Sequence, residues 1–310
     1  MQLFLTSLSK VSTQVAILFI MMLVGFVFGK LGKITDVGIK QMTTVLLWLV
    51  TPCVIIYSFC SMQFTSDRLY DMLWVSLCAV ITHFVGFLFG LPLFKGQPDA
   101  TKRVLRFGTV FSNCGFMSIP LVSAIFGEDG VFYCSVFVVV FNILSWTLGV
   151  FIYGQKLNLK KAVFNPGVIG FVIAFVLFLF SVKLPLLISE PIYYFSQLNS
   201  PLAMLVTGAI LSGVALRFTK SDLNILFVCF LRLIAVPAVT VALLTLFDMP
   251  NALLLICMIP ASAPTASNTS LFAVLFGSDT KTASRLVAVS TALSIITMPV
   301  IYALVSVMFS

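Results

Sequence analysis

The chain has 310 residues, 60% of them hydrophobic and 9% charged, with a mean hydropathy of +1.15. A soluble domain of this length has too little interior to hide that much apolar surface, so the composition implies a polytopic membrane protein. The formal net charge of +8 raises nucleic acid or acidic lipid as partners, and the positions of the charges decide whether either is needed.

Apolar runs of the ~20 residues that cross a ~30 Å hydrocarbon core recur about ten times along the chain. They lie near 11–29, 38–60, 70–94, 104–126, 131–154, 166–182, 194–216, 223–247, 250–277 and 283–309. The runs are long, closely spaced and lack the alternation of an outer-membrane barrel, so an all-α membrane protein is expected. The first run lacks a small-residue cleavage pattern and reads as a helix rather than a signal peptide. Pro52 in run two reads equally as another kink or as a simple packing bend. His83, the one histidine, falls midway along run three and reads as a hydrogen-bonded packing residue rather than a proton relay. Arg232 lies roughly two to three turns inside run eight; snorkelling is its plain reading and an anion counter-charge the sharper one. The seven cysteines have no C-x-x-C pair and read as packing residues rather than a disulfide framework or metal site.

Two runs are interrupted. Run four contains FSNCGFMSIPLVSAIF over 111–126, and run nine contains CMIPASAPTASNTSLFAVLF over 257–276. Proline removes a backbone donor and clashes with the preceding turn, and inside a bilayer a break survives only where protein or a watery cavity satisfies the freed groups. Pro120, Pro260 and Pro264 are the expected helix breakers. Ser118 and Ser262 each stand two places ahead of a proline, so each is expected to cap the half-helix that follows. Two half-helix N-termini then face the midplane with about half a positive charge each, which favours an anion. Paired interruptions in corresponding halves are a pointer to a carrier's substrate site.

The basic residues sort by loop. Lys30, Lys33, Lys40, Lys95, Lys102, Arg103, Arg106, Lys156, Lys160, Lys161, Arg217, Lys220, Lys281 and Arg285 fall in alternate loops, against Lys10, Arg68 and Lys183 on the other side. The positive-inside rule puts the basic loops in the cytoplasm and both termini outside. The charge is topological, and no nucleic acid is expected. The basic stretch QKLNLKKAVFN over 155–165 joins two units, 1–160 and 161–310. Phe126-Gly127-Glu128-Asp129 ends run four and Phe276-Gly277-Ser278-Asp279 ends run nine, 150 positions later. Each unit has five crossings, an odd number, so the second copy is inverted relative to the first.

All ten acidic residues fall in loops or at run ends. A sodium or proton site built on a buried carboxylate therefore has no obvious ligand, and an intramembrane metalloenzyme lacks its cluster. The chain is expected to be no enzyme, with no catalytic residue, metal or cofactor. The amides of Asn113, Asn268 and Asn142 are costly in hydrocarbon unless partnered, and they offer both donors and an acceptor to a carboxylate or to backbone. With Gly115, Ser262, Thr265 and Ser267 they form the candidate substrate-binding set; the alternative is that they only tie the broken backbone together.

These residues carry a family likeness. Asn113 followed by Ile119, Pro120 and Leu121, the Pro-x-x-x-Asn of Pro264 and Asn268, Asn165 and Pro166 opening the second half, and ten runs in 310 residues resemble the auxin efflux carrier family in its compact microbial form. The resemblance implies ten transmembrane helices in two inverted five-helix repeats, similar to bile-acid symporters and sodium/proton antiporters, with broken helices four and nine crossing. Plant members export the auxin anion; microbial relatives include proteins assigned to malate, malonate and other organic acids. By this likeness Asn113 and Asn268 are substrate-contacting amides, Pro120 and Pro264 are crossover prolines, and Asn142 stands where plant members carry Gln. Runs one, two, six and seven would form a scaffold against which the crossed pair rocks.

The expected function is secondary transport of a small organic anion, a carboxylate, across the plasma membrane by alternating access. A sodium- or proton-coupled symporter of the bile-acid type and a non-transporting membrane receptor are the rivals. The expected partners are the anion, the lipid bilayer and a second copy of the chain in a homodimer.

Overall fold

The computed structural model describes residues 2–156, 164–214 and 222–309. The expected unit boundary at 160/161, with Lys160, Lys161, Arg217 and Lys220, lies outside them. The described residues form helices, in chain order α1 (Gln2–Lys30), α2 (Asp36–Cys60), α3 (Ser66–Gly90), α4 (Asp99–Val110), α5 (Cys114–Ile152), α6 (Pro166–Leu179), α7 (Leu186–Gln197), α8 (Asn199–Ser212), α9 (Leu223–Leu244), α10 (Asn251–Ser262), α11 (Asn268–Leu275) and α12 (Thr280–Met308). Among them α1, α2, α3, α5, α9 and α12 are long and apolar enough to cross a membrane, while α6 and α10 are apolar but shorter.

Local chemistry sets the ends. Side-chain oxygens of Thr35, Thr65, Asn165 and Asp279 accept the backbone N–H three residues on and so start α2, α3, α6 and α12. Pro166 fills the first turn of α6, where its missing donor costs nothing. Within the helices, wide π-turns at Leu46–Val50, Cys114–Ser118 and Leu231–Ala235 come just ahead of Pro52, Pro120 and Pro237. A proline supplies no N–H and crowds the carbonyl a turn before it, and the helix accommodates it by widening. The bend expected at Pro52 is thus a widened turn.

The predicted runs map onto these elements in order, with run four divided between α4 and the start of α5, and run nine between α10 and α11. Run five is the remainder of α5, which leaves helical geometry at Gly127 (φ 63°). Gly277, past the end of α11, has φ 60°, so the two F-G-x-D copies share a left-handed glycine that a side chain would strain. Run seven was expected from 194, but α8 begins at Asn199 after a separate α7. Pro201, in the first turn of α8, has no N–H to return to the Gln197 carbonyl, so the helix restarts there.

Helix α1 packs along α8 and α12, and α2 packs on α6 and α7. The α1–α8 approach is close enough that a Cβ on Gly25 would collide with the Leu205 backbone, and one on Gly208 with Met22, the small-residue contact by which membrane helices associate. Helices α4 and α10 lie among α3, α5, α9 and α12, so the interrupted segments are enclosed by protein.

Candidate functional site

Two short non-helical stretches, 111–113 between α4 and α5 and 263–267 between α10 and α11, meet each other. Ser112 and Thr265 form an antiparallel bridge, in which Asn113 N donates to the Pro264 carbonyl at 2.7 Å and Ala266 N to the Phe111 carbonyl at 2.9 Å. The Thr265 N–H donates to Ser290 Oγ on α12 at 3.2 Å, and its hydroxyl donates to the Gly108 carbonyl at 3.0 Å. Each interruption supplies partners the other needs, which answers the cost of breaking a helix in hydrocarbon.

The remaining carbonyls face Arg232, which the widened turn of α9 presents to them. Its guanidinium donates from Nε to the Ala263 carbonyl at 3.3 Å and from Nη1 to the Val110 carbonyl at 3.4 Å, and Nη2 bonds the Ala261 carbonyl. Those carbonyls belong to the C-terminal ends of α4 and α10. Each end carries about half a negative charge, so one guanidinium balances the pair. Arg232 is 0% exposed, and among the described residues it is the one buried formal charge. It does not snorkel: the carbonyls left open by the two breaks hold it in place.

On the other side of the bridge lies a cavity of about 40 Å³. Of the predicted site residues, Asn113, Gly115, Asn142, Ser267 and Asn268 line it, joined by Thr51 and Leu47 of α2 and by Ser112, Phe116 and Phe141. Helices α5 and α11 begin at its wall, at Cys114 and Asn268. Asn113 Nδ2 donates toward Ser267 Oγ at 3.5 Å. The Asn142 amide lies against the start of α6, where a methyl group on Gly167 would come within 2.7 Å of its Nδ2. A Cβ on Gly115 would meet nothing within 4 Å, so its Cα faces open space. The cavity holds a water's volume rather than a carbon skeleton.

Several expectations need correction. Ser262 does not line the cavity; its hydroxyl donates back to the Met258 carbonyl at 2.7 Å inside α10. Thr265 is buried in the bridge, its hydroxyl spent on Gly108. Neither serine of the S-x-P pairs caps the next half-helix. Ser118 makes no side-chain cap and its hydroxyl finds no partner among the described residues, while Ser262 ends α10 rather than opening α11. Of the three expected breakers, Pro264 stands in an interruption. Pro260 is inside α10 and Pro120 inside α5, seven residues beyond Asn113; at Pro120 the widened turn Cys114–Ser118 just ahead of it absorbs the proline without stopping the helix. His83 is packed as expected. Its Nδ1–H donates to the Ala79 carbonyl at 2.6 Å, and its ring lies 5.4 to 5.9 Å from those of Phe111, Phe137 and Phe141.

A second cavity, about 1120 Å³, opens where the ends of α1, α8 and α11 meet the starts of α2 and α12. Lys30, Lys281 and Arg285 lie in its wall with Asp36 as the acid, and Ser270 and Leu271 of α11 bring it within a turn of Asn268. On the side of the Gly127 bend, the recess beside Tyr57, Glu128 and Asn199 is about 50 Å³.

Against known proteins, a family model described as "Membrane transport protein" matches twice, over residues 10–158 and again over 154–302. The chain is 23% identical over 295 residues to an uncharacterized transporter of Methanocaldococcus jannaschii, covering 91% of this chain and 94% of that protein. It is 24% identical over 294 residues to an uncharacterized transporter of Methanothermobacter thermautotrophicus, covering 90% and 93%. With paired interruptions in an apolar helical chain and a family model that spans nearly its whole length, this protein belongs to the membrane transport protein family, the auxin efflux carrier-like family that its sequence resembles.

Proposed function

We propose that this transporter carries a small organic anion by alternating access, through ten crossings arranged as two inverted five-helix units, 1–160 and 161–310. Helix four is then α4 with the first part of α5, helix nine is α10 with α11, and the two cross at the Ser112–Thr265 bridge. The observation that carries the reading is the convergence of three amides, Asn113, Asn142 and Asn268, and two helix starts on one cavity that, among the described residues, has no carboxylate in its lining. Amide N–H groups and helix N-termini favour a carboxylate, and half-helix N-termini at a repeat interface are where carriers bind anions.

The two cavities support a cytoplasmic opening. The wide one is walled by Lys30, Lys281 and Arg285 from loops that the positive-inside rule assigns to the cytoplasm, and the recess near Gly127 is narrow. Binding then requires the 40 Å³ site to widen as α11 moves, with α1, α2, α6 and α8 as the scaffold. The plasma membrane is the proposed location, with both termini outside.

The test is thermal unfolding of the purified protein with mono-, di- and indole carboxylates, and with Asn113→Ala as control. A ligand at 100 times its Kd stabilises by about 2.7 kcal/mol, a shift of several degrees that is lost in Asn113→Ala. If no carboxylate raises the unfolding temperature, or if the variant shifts equally, the site is misassigned. Uptake into proteoliposomes that rises with sodium would select the symporter.

A further inference from the structure

We infer that Arg232 is a resident counter-cation, built into the crossover in the position that a diffusible coupling cation takes in carriers with open carbonyl cages. The inference rests on the anion-carrier reading above and adds how the negative poles of the two broken helices are handled.

A broken pair of helices exposes two kinds of pole. The starts of α5 and α11 reach the amide-lined cavity, whereas the ends of α4 and α10 converge on the other side of the bridge. Unwound carbonyls and half-helix C-termini are the groups that bind sodium in secondary carriers. Here those groups are the carbonyls of Val110, Ala261 and Ala263, and one guanidinium already satisfies all three. The fork suits the task because its planar donors diverge toward several acceptors at once, which a lysine ammonium does less well. Burying a cation without a carboxylate is costly unless fixed dipoles replace water, and among the described residues no salt bridge to Arg232 is formed. The α4 and α10 ends supply the needed negative potential.

The positive poles stay free for the substrate, and the negative poles are neutralised without an ion from solution. Arg232 is therefore a positioning residue: it fixes the bridge and leaves the anion site electropositive. It follows that removing the guanidinium opens an oxygen-lined space for a monovalent cation.

The test is the unfolding temperature of the full-length protein, without substrate, in sodium, potassium and choline chloride at equal ionic strength. The wild type is expected to unfold at one temperature in all three. Arg232→Ala is expected to unfold lower in choline and to recover by on the order of 3 °C or more in sodium. Arg232→Lys, which keeps the charge, is expected to be less stable than wild type but indifferent to the salt.

A wild type stabilised by sodium over choline overturns the inference, as does an Arg232→Ala equally weakened in every salt. Should Arg232→Ala not fold, the wild type and Arg232→Lys still decide, since sodium dependence in either sinks it. These readings use no substrate, so they fail independently of the carboxylate panel.

Discussion

Gly115 faces a cavity of about 40 Å³, and a Cβ there meets no atom within 4 Å. A methyl group at this position disturbs no packing, so Gly115→Ala is expected to change stability by less than about 0.5 kcal/mol. Gly115→Val adds a branched side chain to the space a ligand needs. It is expected to abolish the carboxylate-dependent rise in unfolding temperature while leaving the ligand-free protein folded. A valine variant that binds as well as wild type would put the substrate elsewhere. The amides on this cavity were legible from sequence because Asn in hydrocarbon is costly, and three of them flanked breaks or stood inside an apolar run. Thr51 was not, since its hydroxyl bonds the Leu46 carbonyl of its own helix and gives no such signal. Arg232 stood out as a charge inside a run, but its partners are carbonyls 29 to 122 residues away, and no spacing rule reaches them.

At the scale of elements, the interruptions were legible as regions and misplaced in detail. Proline predicted the breaks, yet helices α5 and α10 continue through Pro120 and Pro260, and at Pro120 a widened turn does this work. The repeated F-G-x-D was the better guide: Gly127 and Gly277 both take a positive φ, and each following Asp fastens a neighbouring helix. Arg68 Nη2 donates to Asp129 Oδ1 at 3.2 Å. Asp279 receives the Thr282 N–H at 3.0 Å, the Thr282 hydroxyl at 2.7 Å and the Thr101 hydroxyl at 2.8 Å, joining the starts of α4 and α12. Burial pushes the Asp279 carboxyl upward, but these donors outweigh it and hold it below the usual carboxylate range. A depressed folded pKa contributes stability that is present above the unfolded value of about 3.9 and lost as pH falls through the folded one. Asp279→Asn keeps a capping oxygen but loses the charge at the start of α12, and is therefore expected to cost about 0.5 kcal/mol at pH 7, with the difference from wild type shrinking below about pH 4. A gap that does not narrow at all between pH 7 and pH 3 would show that the carboxylate charge is not what the cap uses.

For the whole molecule, the proposed carrier has, among the described residues, one buried charge, fixed in α9, and no carboxylate lining the site, so a monoanion crosses with its own charge uncompensated by a coupling ion. Moving that charge through 100 mV is worth about 2.3 kcal/mol, so a valinomycin-set potential of that size should shift the equilibrium distribution of substrate roughly fifty-fold. Flux of a charged substrate that ignores the potential would sink electrogenic transport. The membrane class and the two-part organisation were legible from hydropathy and loop charge, because these are sums over many residues, whereas the meeting of the two interruptions depends on tertiary structure. That meeting also bears on how the protein is made. Ser267 follows Asn113 by 154 residues, so at roughly 5 to 20 residues per second the first break waits about 8 to 30 seconds on the ribosome for its partner. Until then the Phe111 carbonyl and the Asn113 N–H have no mate in the nascent chain, and the insertion machinery must keep that segment away from lipid.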